Sequence, residues 1–147
     1  MLMDLVSRCI KQNRKGGYIL LMPQYRPDIG RSLAQYFELN FYDYRQEVML
    51  PLGWDAARIP LNELDDCLFQ EALEKPLLAF NVEALITTKS EKLRRQWLYE
   101  FIHKPWPNKI LLPLAIHQSD APDFSTNVCD LQEIPLPEQN LINRLAL

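Results

Sequence analysis

Three continuous apolar runs divide the chain and predict buried β-strands. They lie at residues 18–22 (YILLM), 76–82 (PLLAFNV) and 108–116 (NKILLPLAI). A strand in a parallel sheet is covered on both faces, so it appears as an unbroken apolar run rather than as an alternation of apolar and polar residues. Two weaker strands are predicted at residues 40–45, which are rich in aromatic side chains, and near residues 128–134.

Segments with apolar residues at helical spacing lie between these strands. They predict helices at residues 2–14, 30–38 and 62–73, a helix that begins after Ser90, and a short C-terminal helix from about Pro137. Asn62 and Ser90 are the predicted N-caps. The predicted buried stripe of the helix after Ser90 consists of Leu93, Trp97, Leu98, Phe101 and Ile102. Residues 49–60 and 117–127 are predicted to be connections.

The alternation of buried strands and amphipathic helices predicts the fold class. Parallel strands need crossover connections, and the helices of those crossovers cover both faces of the sheet. We therefore expect an α/β fold, formed as one domain over residues 1–147. Its expected architecture has three layers, with a mainly parallel sheet flanked by helices.

Composition adds exclusions to this picture. The chain has 147 residues and a net charge of -3, which gives no overall attraction to nucleic acid or to an anionic membrane. No apolar run approaches the roughly 18 residues of a membrane-spanning helix. Cys9, Cys67 and Cys129 are far apart and form no C-x-x-C pair, and only two histidines are present. These features predict a cytoplasmic protein with reduced, buried cysteines and no metal site.

The first strand runs into a turn that has the outline of a phosphate-binding loop. Residues 17–40 read GYILLMPQYRPDIGRSLAQYFELN. In the register of the pattern G-x-x-x-x-G-K-[ST], Tyr25 stands at the first glycine, Gly30 at the second, Arg31 at the lysine and Ser32 at the hydroxyl that binds Mg²⁺. The pattern is therefore only partly kept.

The order of elements and several short segments resemble a known family. A strand, a Gly-Arg-Ser turn and a helix, then a strand that ends in Asn-Val-Glu, are similar to P-loop NTPases with a catalytic glutamate after the Walker B strand. More narrowly, residues 17–117 resemble the small P-loop (BrxF-like) component of BREX phage-defence systems. The segments that carry this resemblance are LAFNVEALI at 78–86, the charged helix after it, and NKILLPLAI at 108–116.

This resemblance implies a P-loop NTPase-like domain with degenerate Walker motifs. The Walker lysine falls on Arg31, whose planar guanidinium does not replace an ammonium group at a tight site. The Walker B aspartate falls on Phe80, which cannot bind a hard cation. Glu83 stands where a catalytic glutamate would act if the protein were active, but without Mg²⁺-ATP a solvent-facing strand end is the simpler interpretation. These changes favour a protein that is not an enzyme and has no cofactor, with ATP and magnesium as the alternative.

A residual anion site is a further expectation at the same place. A helix that begins near Gly30 would present free backbone N–H groups, and these favour negative charge. Gly30, Arg31 and Ser32 are therefore candidates for binding phosphate or another anion.

Three functional hypotheses follow from these features. The favoured one is a non-catalytic adaptor or regulatory subunit that binds a larger protein partner in a multi-protein assembly for phage defence or DNA handling. The second is an ATP-binding switch with an atypical P-loop, in which Ser32 and Glu83 keep their roles. The third is a nucleic-acid-binding module that uses the basic helix at 89–104 to contact DNA. Its candidate residues are Lys89, Lys92, Arg94 and Arg95.

Overall fold

The computed structural model describes residues 2–10, 14–116, 118–122 and 127–138. Its strands are β1 (Gly16–Leu21), β2 (Asn40–Asp43), β3 (Leu77–Phe80), β4 (Lys109–Leu114) and β5 (Val128–Asp130). Its α-helices are α1 (Leu2–Cys9), α2 (Pro27–Tyr36), α3 (Leu50–Leu52), α4 (Leu61–Ala72), α5 (Glu83–Ile86) and α6 (Glu91–His103). The helix predicted from about Pro137 lies almost wholly outside the described residues.

The described strands form one parallel sheet in the order β2-β3-β4-β1-β5. In the central pair, Gly16 lies opposite Lys109 and Leu21 lies opposite Leu114. The apolar runs that predicted β1, β3 and β4 therefore form the middle of the sheet, where both faces are covered. The prediction of an α/β fold with a mainly parallel sheet is confirmed.

Helices cover the sheet on both faces and give the predicted three layers. On one face, Leu64 and Leu68 of α4 pack in the same cluster as Trp97 and Phe101 of α6. On the other face, α1 and α2 contribute to a second cluster of buried apolar side chains. Because α2 follows β1 toward β2 whereas α6 runs from β3 toward β4, right-handed crossovers place these helices on opposite faces.

The end of α1 and the conformation of residues 49–60 differ from the prediction. α1 ends at Cys9 rather than at residue 14. Residues 49–60 are not an open connection: a π-helix (Arg45–Met49), α3 and a 3-10 helix (Gly53–Arg58) cover most of them. Pro51 lies in the first turn of α3, where its missing N–H is not needed. Met49 and Ala56 bury their side chains, so the segment closes one end of the core.

The two predicted N-caps had different outcomes. Ser90 caps α6 as predicted, and its side-chain oxygen accepts a hydrogen bond of 3.3 Å from Leu93 N. Asn62 is not a cap, because α4 begins one residue earlier and the carbonyl of Pro60 accepts the N–H of Glu63 at 3.0 Å. The buried stripe of α6 is confirmed at Trp97, Leu98, Phe101 and Ile102, but Leu93 is 48% exposed.

The prediction of reduced cysteines is wrong for two of the three. Cys9 and Cys129 form a disulfide, with their Cα atoms 5.7 Å apart. They are separated by 120 residues in sequence and meet because α1 lies against β5, the edge strand. Cys67 is free and half-buried, and its Sγ lies 3.4 Å from the hydroxyl of Tyr42.

Within the described ranges, no helix is long and apolar enough to cross a membrane.

Candidate functional site

Polar side chains meet in a small cleft at the carboxyl ends of the central strands. The chain leaves β1 through α2 toward β2, whereas it leaves the neighbouring strand β4 toward β5 on the other side of β1. The connections after these two adjacent strands therefore run in opposite directions. Open α/β sheets bind ligands at such a point, outside the carboxyl ends of the strands. A cleft of about 10 Å³ lies there, which is room for one water molecule. Its lining residues are Met22, Gln24, Tyr25, Arg26, Gly30, Phe80, Glu83, Pro113 and Ala115.

Aromatic side chains occupy the space beside this cleft. The ring centroid of Phe80 lies 5.5 Å from that of Tyr25 and 5.5 Å from that of Phe41. The backbone of Gly30 approaches the Phe80 ring so closely that a Cβ atom at position 30 would lie 3.0 Å from two ring carbons. The Arg31 guanidinium lies over the ring of Phe41, 4.5 Å from its centroid, in a cation–π contact. Gly30 is thus a packing residue for an aromatic ring.

The helix after β1 does not begin where the phosphate-loop pattern predicts. α2 begins at Pro27, whose fixed φ suits the first helical position, so Gly30, Arg31 and Ser32 lie within the helix. The N–H of Gly30 donates to the carbonyl of Arg26 at 3.1 Å, and Ser32 is buried. The predicted start near Gly30, with free N–H groups at that glycine, is therefore wrong.

A carboxylate of the chain itself occupies the start of α2. Arg26 donates two hydrogen bonds to the Asp28 carboxylate, at 2.9 and 2.8 Å, and a third at 2.8 Å to the carbonyl of Pro137. The hydrogen bond from Arg26 lowers the pKa of Asp28, so this carboxylate is ionised at neutral pH. Arg26 and the N-terminal end of α2 could each attract a phosphate, but the Asp28 carboxylate already supplies the negative charge there.

Glu83 is enclosed at the start of α5 and is not a solvent-facing strand end, so that prediction is wrong. Its Oε2 accepts a hydrogen bond of 2.7 Å from Ala115 N, which ties the exit of β3 to the exit of β4. Its Oε1 is buried and has no hydrogen-bond partner in the part of the chain that the structure describes. Burial raises the pKa of Glu83, and the nearby Asp43 carboxylate raises it further.

A second polar group links three strand ends. Asn81 follows β3 with a left-handed backbone (φ 63°), a conformation that asparagine tolerates better than most residues. Its Nδ2 donates to Asp43 Oδ1 at 3.0 Å and to the hydroxyl of Tyr25 at 3.3 Å. The sequence pattern gave no direct link between Asp43 and Tyr25. The available signal was that Asp43 ends β2 and Tyr25 lies in the connection after β1, because residues at the carboxyl ends of parallel strands meet at one edge of the sheet.

Most of the basic side chains proposed to contact DNA have partners within the protein. Arg94 forms a bidentate salt bridge with the buried Asp120, with hydrogen bonds of 3.2 and 3.3 Å. Arg95 forms a salt bridge of 3.0 Å with Glu91. Lys89 donates to the carbonyl of Ala57 at 3.1 Å. Lys92 is exposed. The basic helix at 89–104 therefore presents less free positive charge than its sequence suggests.

The cleft as arranged does not fit a nucleotide with magnesium. Its volume is far below that of a triphosphate site, and Phe80, which lines it at the end of β3, offers no oxygen ligand to a hard cation. No cluster of three or more side chains that could hold a metal ion occurs among the described residues. The half-buried carboxyl of Glu83, whose Oε1 has no partner among the described residues, can hold a single water in this cleft by a hydrogen bond.

Comparison of the chain with protein-family models, with curated proteins and with solved structures gave no match.

Proposed function

We propose that this protein is a non-catalytic pseudo-NTPase, an adaptor or regulatory subunit that binds a larger protein partner. The observation that carries the proposal is the packing of Phe80 on Gly30. The two positions that would contact magnesium and phosphate in a working P-loop domain instead contact each other. We further propose, from the resemblance to BrxF-like components, that the assembly serves phage defence.

The strand order supports a P-loop NTPase-like origin for the fold. In P-loop NTPases with a catalytic glutamate, one strand lies between the strand before the phosphate loop and the Walker B strand. Here β4 lies between β1 and β3, and all of them are parallel. Glu83 at the start of α5 and Asn81 at the end of β3 then belong to the edge where a nucleotide would bind.

The charges at this edge support the loss of nucleotide binding. Arg26 is paired with Asp28, and Arg31 lies over Phe41. The protein would have to break these contacts before either cation could meet a phosphate. A magnesium ion would in addition require a carboxylate where Phe80 places an apolar ring.

Exposed apolar side chains support a role in protein contacts. Leu50 and Leu52 are 57% and 50% exposed, and Trp54 is 99% exposed. Tryptophan at the surface is among the residues that contribute most to protein–protein binding. Phe69 and Leu73 on α4 are a second such group, at 41% and 47% exposure.

Calorimetric titration with ATP and with ADP, each with and without Mg²⁺, tests the loss of nucleotide binding. We expect no heat of binding at millimolar nucleotide. Micromolar binding that depends on Mg²⁺ and is weakened by Ser32→Ala would overturn the proposal and favour the ATP-binding switch.

Co-expression with the proteins encoded beside it tests the adaptor role. We expect one of them to be retained through size-exclusion chromatography at micromolar concentration, and failure to retain any would count against an adaptor. An electrophoretic mobility shift with DNA separates the third hypothesis. Because Arg94 and Arg95 are paired internally, we expect no shift; a salt-sensitive shift that Arg94→Glu and Arg95→Glu abolish would instead support nucleic-acid binding.

A further inference from the structure

The outer face of α4 combines exposed apolar side chains with negative charge. Phe69 and Leu73 are one helical turn apart, so their side chains lie next to each other. Asp66 lies one turn before Phe69 on the same row. Glu63 lies on the adjoining row, and Glu74 lies in the turn that follows α4. All five side chains are exposed, whereas Leu64, Leu68 and Ala72 turn toward the sheet.

The acidic groups on this face have no ion-pair partner in the part of the chain that the structure describes. Glu63, Asp66 and Glu74 form no ion pair with any residue in the described ranges. Asp65 differs, since it accepts from Trp97 at 2.8 Å and pairs with Lys104 at 3.0 Å on the inner side. Residues 61–75 contain five acidic residues and one lysine, so this segment is more negative than the chain as a whole. The free charge of α4 is therefore negative and faces outward.

A cleft at the C-terminal end of α4 continues this face. It has a volume of about 320 Å³ and is lined by Asn40, Gln70, Glu71, Leu73, Glu74 and Lys75. Two carboxylates, two amides and one ammonium group line it beside the apolar side chain of Leu73, so the charge of its lining is net negative. A long cationic side chain fits such a cleft, with its methylene groups on Leu73 and its charged end among the carboxylates.

We propose that the outer face of α4 is the docking surface for a basic, amphipathic helix of the partner. This proposal rests on the adaptor role proposed above and specifies the chemistry of the partner. An apolar pair one turn apart is a ridge that a second helix covers with its own apolar row. The lysine or arginine side chains that flank that row then face Glu63, Asp66 and Glu74.

The exposed group of Leu50, Leu52 and Trp54 is a separate surface and provides a control. It follows β2 at the carboxyl edge of the sheet. α4 starts at that edge and runs back over about 18 Å to the amino edge, so Phe69 and Leu73 lie far from it. A change at Trp54 should therefore leave binding at the C-terminal half of α4 intact.

Fluorescence anisotropy with a defined peptide tests the proposal. The probe is a labelled peptide of about 18 residues, with leucine at every third or fourth position and lysine on both flanks of that row. We expect micromolar binding to the full chain in about 50 mM salt, weakened about tenfold in about 500 mM salt. The same peptide with glutamate in place of lysine should not bind.

Matched variants locate the peptide on the surface. We expect Phe69→Ser with Leu73→Ser to weaken binding about tenfold or more, and Asp66→Lys with Glu74→Lys to have a similar effect. Trp54→Ser should leave the affinity within about twofold. So should charge reversal at Asp4 and Glu133, which lie on the opposite layer. The proposal would be overturned if the control variants weakened peptide binding as much as the α4 variants do. It would also be overturned if the unchanged protein did not bind the peptide.

Two further results would also overturn it, and they separate it from the adaptor role. If the unchanged chain dimerises in sedimentation and Phe69→Ser makes it monomeric, a second copy covers this face. If the neighbouring protein co-purifies equally well with the α4 variants, the docking face is wrong but the adaptor role stands. If no neighbouring protein co-purifies with the unchanged chain, the adaptor role itself fails, whatever the peptide does.

Discussion

Replacement of Gly30 by alanine should destabilise this protein, although alanine is the better helix former. Within a helix, alanine is favoured over glycine by about 1 kcal/mol. At position 30, however, the new Cβ would lie 3.0 Å from Cδ1 and Cε1 of Phe80 and 3.4 Å from a ring carbon of Phe41. Overpacking of this kind raises the free energy of the folded state by about 1–3 kcal/mol. We therefore expect a net loss of up to about 2 kcal/mol.

A double-mutant cycle with Phe80 separates the two effects. Phe80→Val removes the ring and should itself lower the free energy of unfolding by about 2–4 kcal/mol. In that background the obstacle is gone, so Gly30→Ala should stabilise the protein by about 1 kcal/mol. The change of sign corresponds to a coupling energy of about 1–3 kcal/mol between the two positions.

Urea unfolding followed by tryptophan fluorescence measures the stability of the unchanged protein, of each single variant and of the double variant. Their midpoints are compared at constant m-value. Gly53 is the matched control, because its φ of 59° and open surroundings make alanine strained there for reasons unrelated to any ring. Gly53→Ala should therefore be destabilising in both backgrounds. If Gly30→Ala stabilises the unchanged protein, or adds independently to Phe80→Val, then the Phe80 ring does not pack on Gly30 and the proposed loss of nucleotide binding is without its main support.

Three further outcomes test other parts of the structure. Burial raises the pKa of Glu83 above the value of about 4.3 in an unfolded chain. The contribution of Glu83 to the free energy of unfolding is therefore full below about pH 4.3 and is lost as the pH rises through the pKa of the folded protein. The urea midpoint of Glu83→Gln should therefore fall less than that of the unchanged protein between pH 4 and 8; parallel pH profiles would contradict the burial. Reduction with dithiothreitol should break the Cys9–Cys129 disulfide, lower the free energy of unfolding by about 2–5 kcal/mol and so lower the thermal midpoint. Cys9→Ser should remove this response, whereas Cys67→Ser should retain it. Ser90→Ala should cost about 1 kcal/mol in urea unfolding, since it leaves the N–H of Leu93 uncapped; an unchanged midpoint would count against the cap.

The central strands could be predicted from the sequence because their signal is local. A strand covered on both faces must be apolar at nearly every position, and β1, β3 and β4 all show this. The cap at Ser90 was likewise predictable, because it depends on a hydrogen bond to a residue three positions later.

The errors fall where distant contacts or competing local rules decide the conformation. Residues 49–60 contain proline and glycine and were predicted to be a connection, yet the burial of Met49 and Ala56 stabilises helical turns there. α2 begins at Pro27 and not near Gly30, because the fixed φ of proline suits the first helical position. The phosphate-loop pattern had pointed to the later start. Cys9 and Cys129 gave no sequence signal for pairing, since only the packing of α1 on β5 brings them together.

The sequence by itself determined the class of fold, because apolar runs and helical spacing follow from burial along each element. It also supplied the register on which the proposed loss of nucleotide binding at Phe80 and Arg31 rests. Only the tertiary structure decided that Phe80 packs on Gly30 and that Oε1 of Glu83 has no partner among the described residues. It likewise decided that Arg94 and Arg95 of α6 are paired, whereas Glu63 and Asp66 of α4 face outward. Those facts depend on which distant side chains meet, and a side chain's charge or volume alone does not specify its partner.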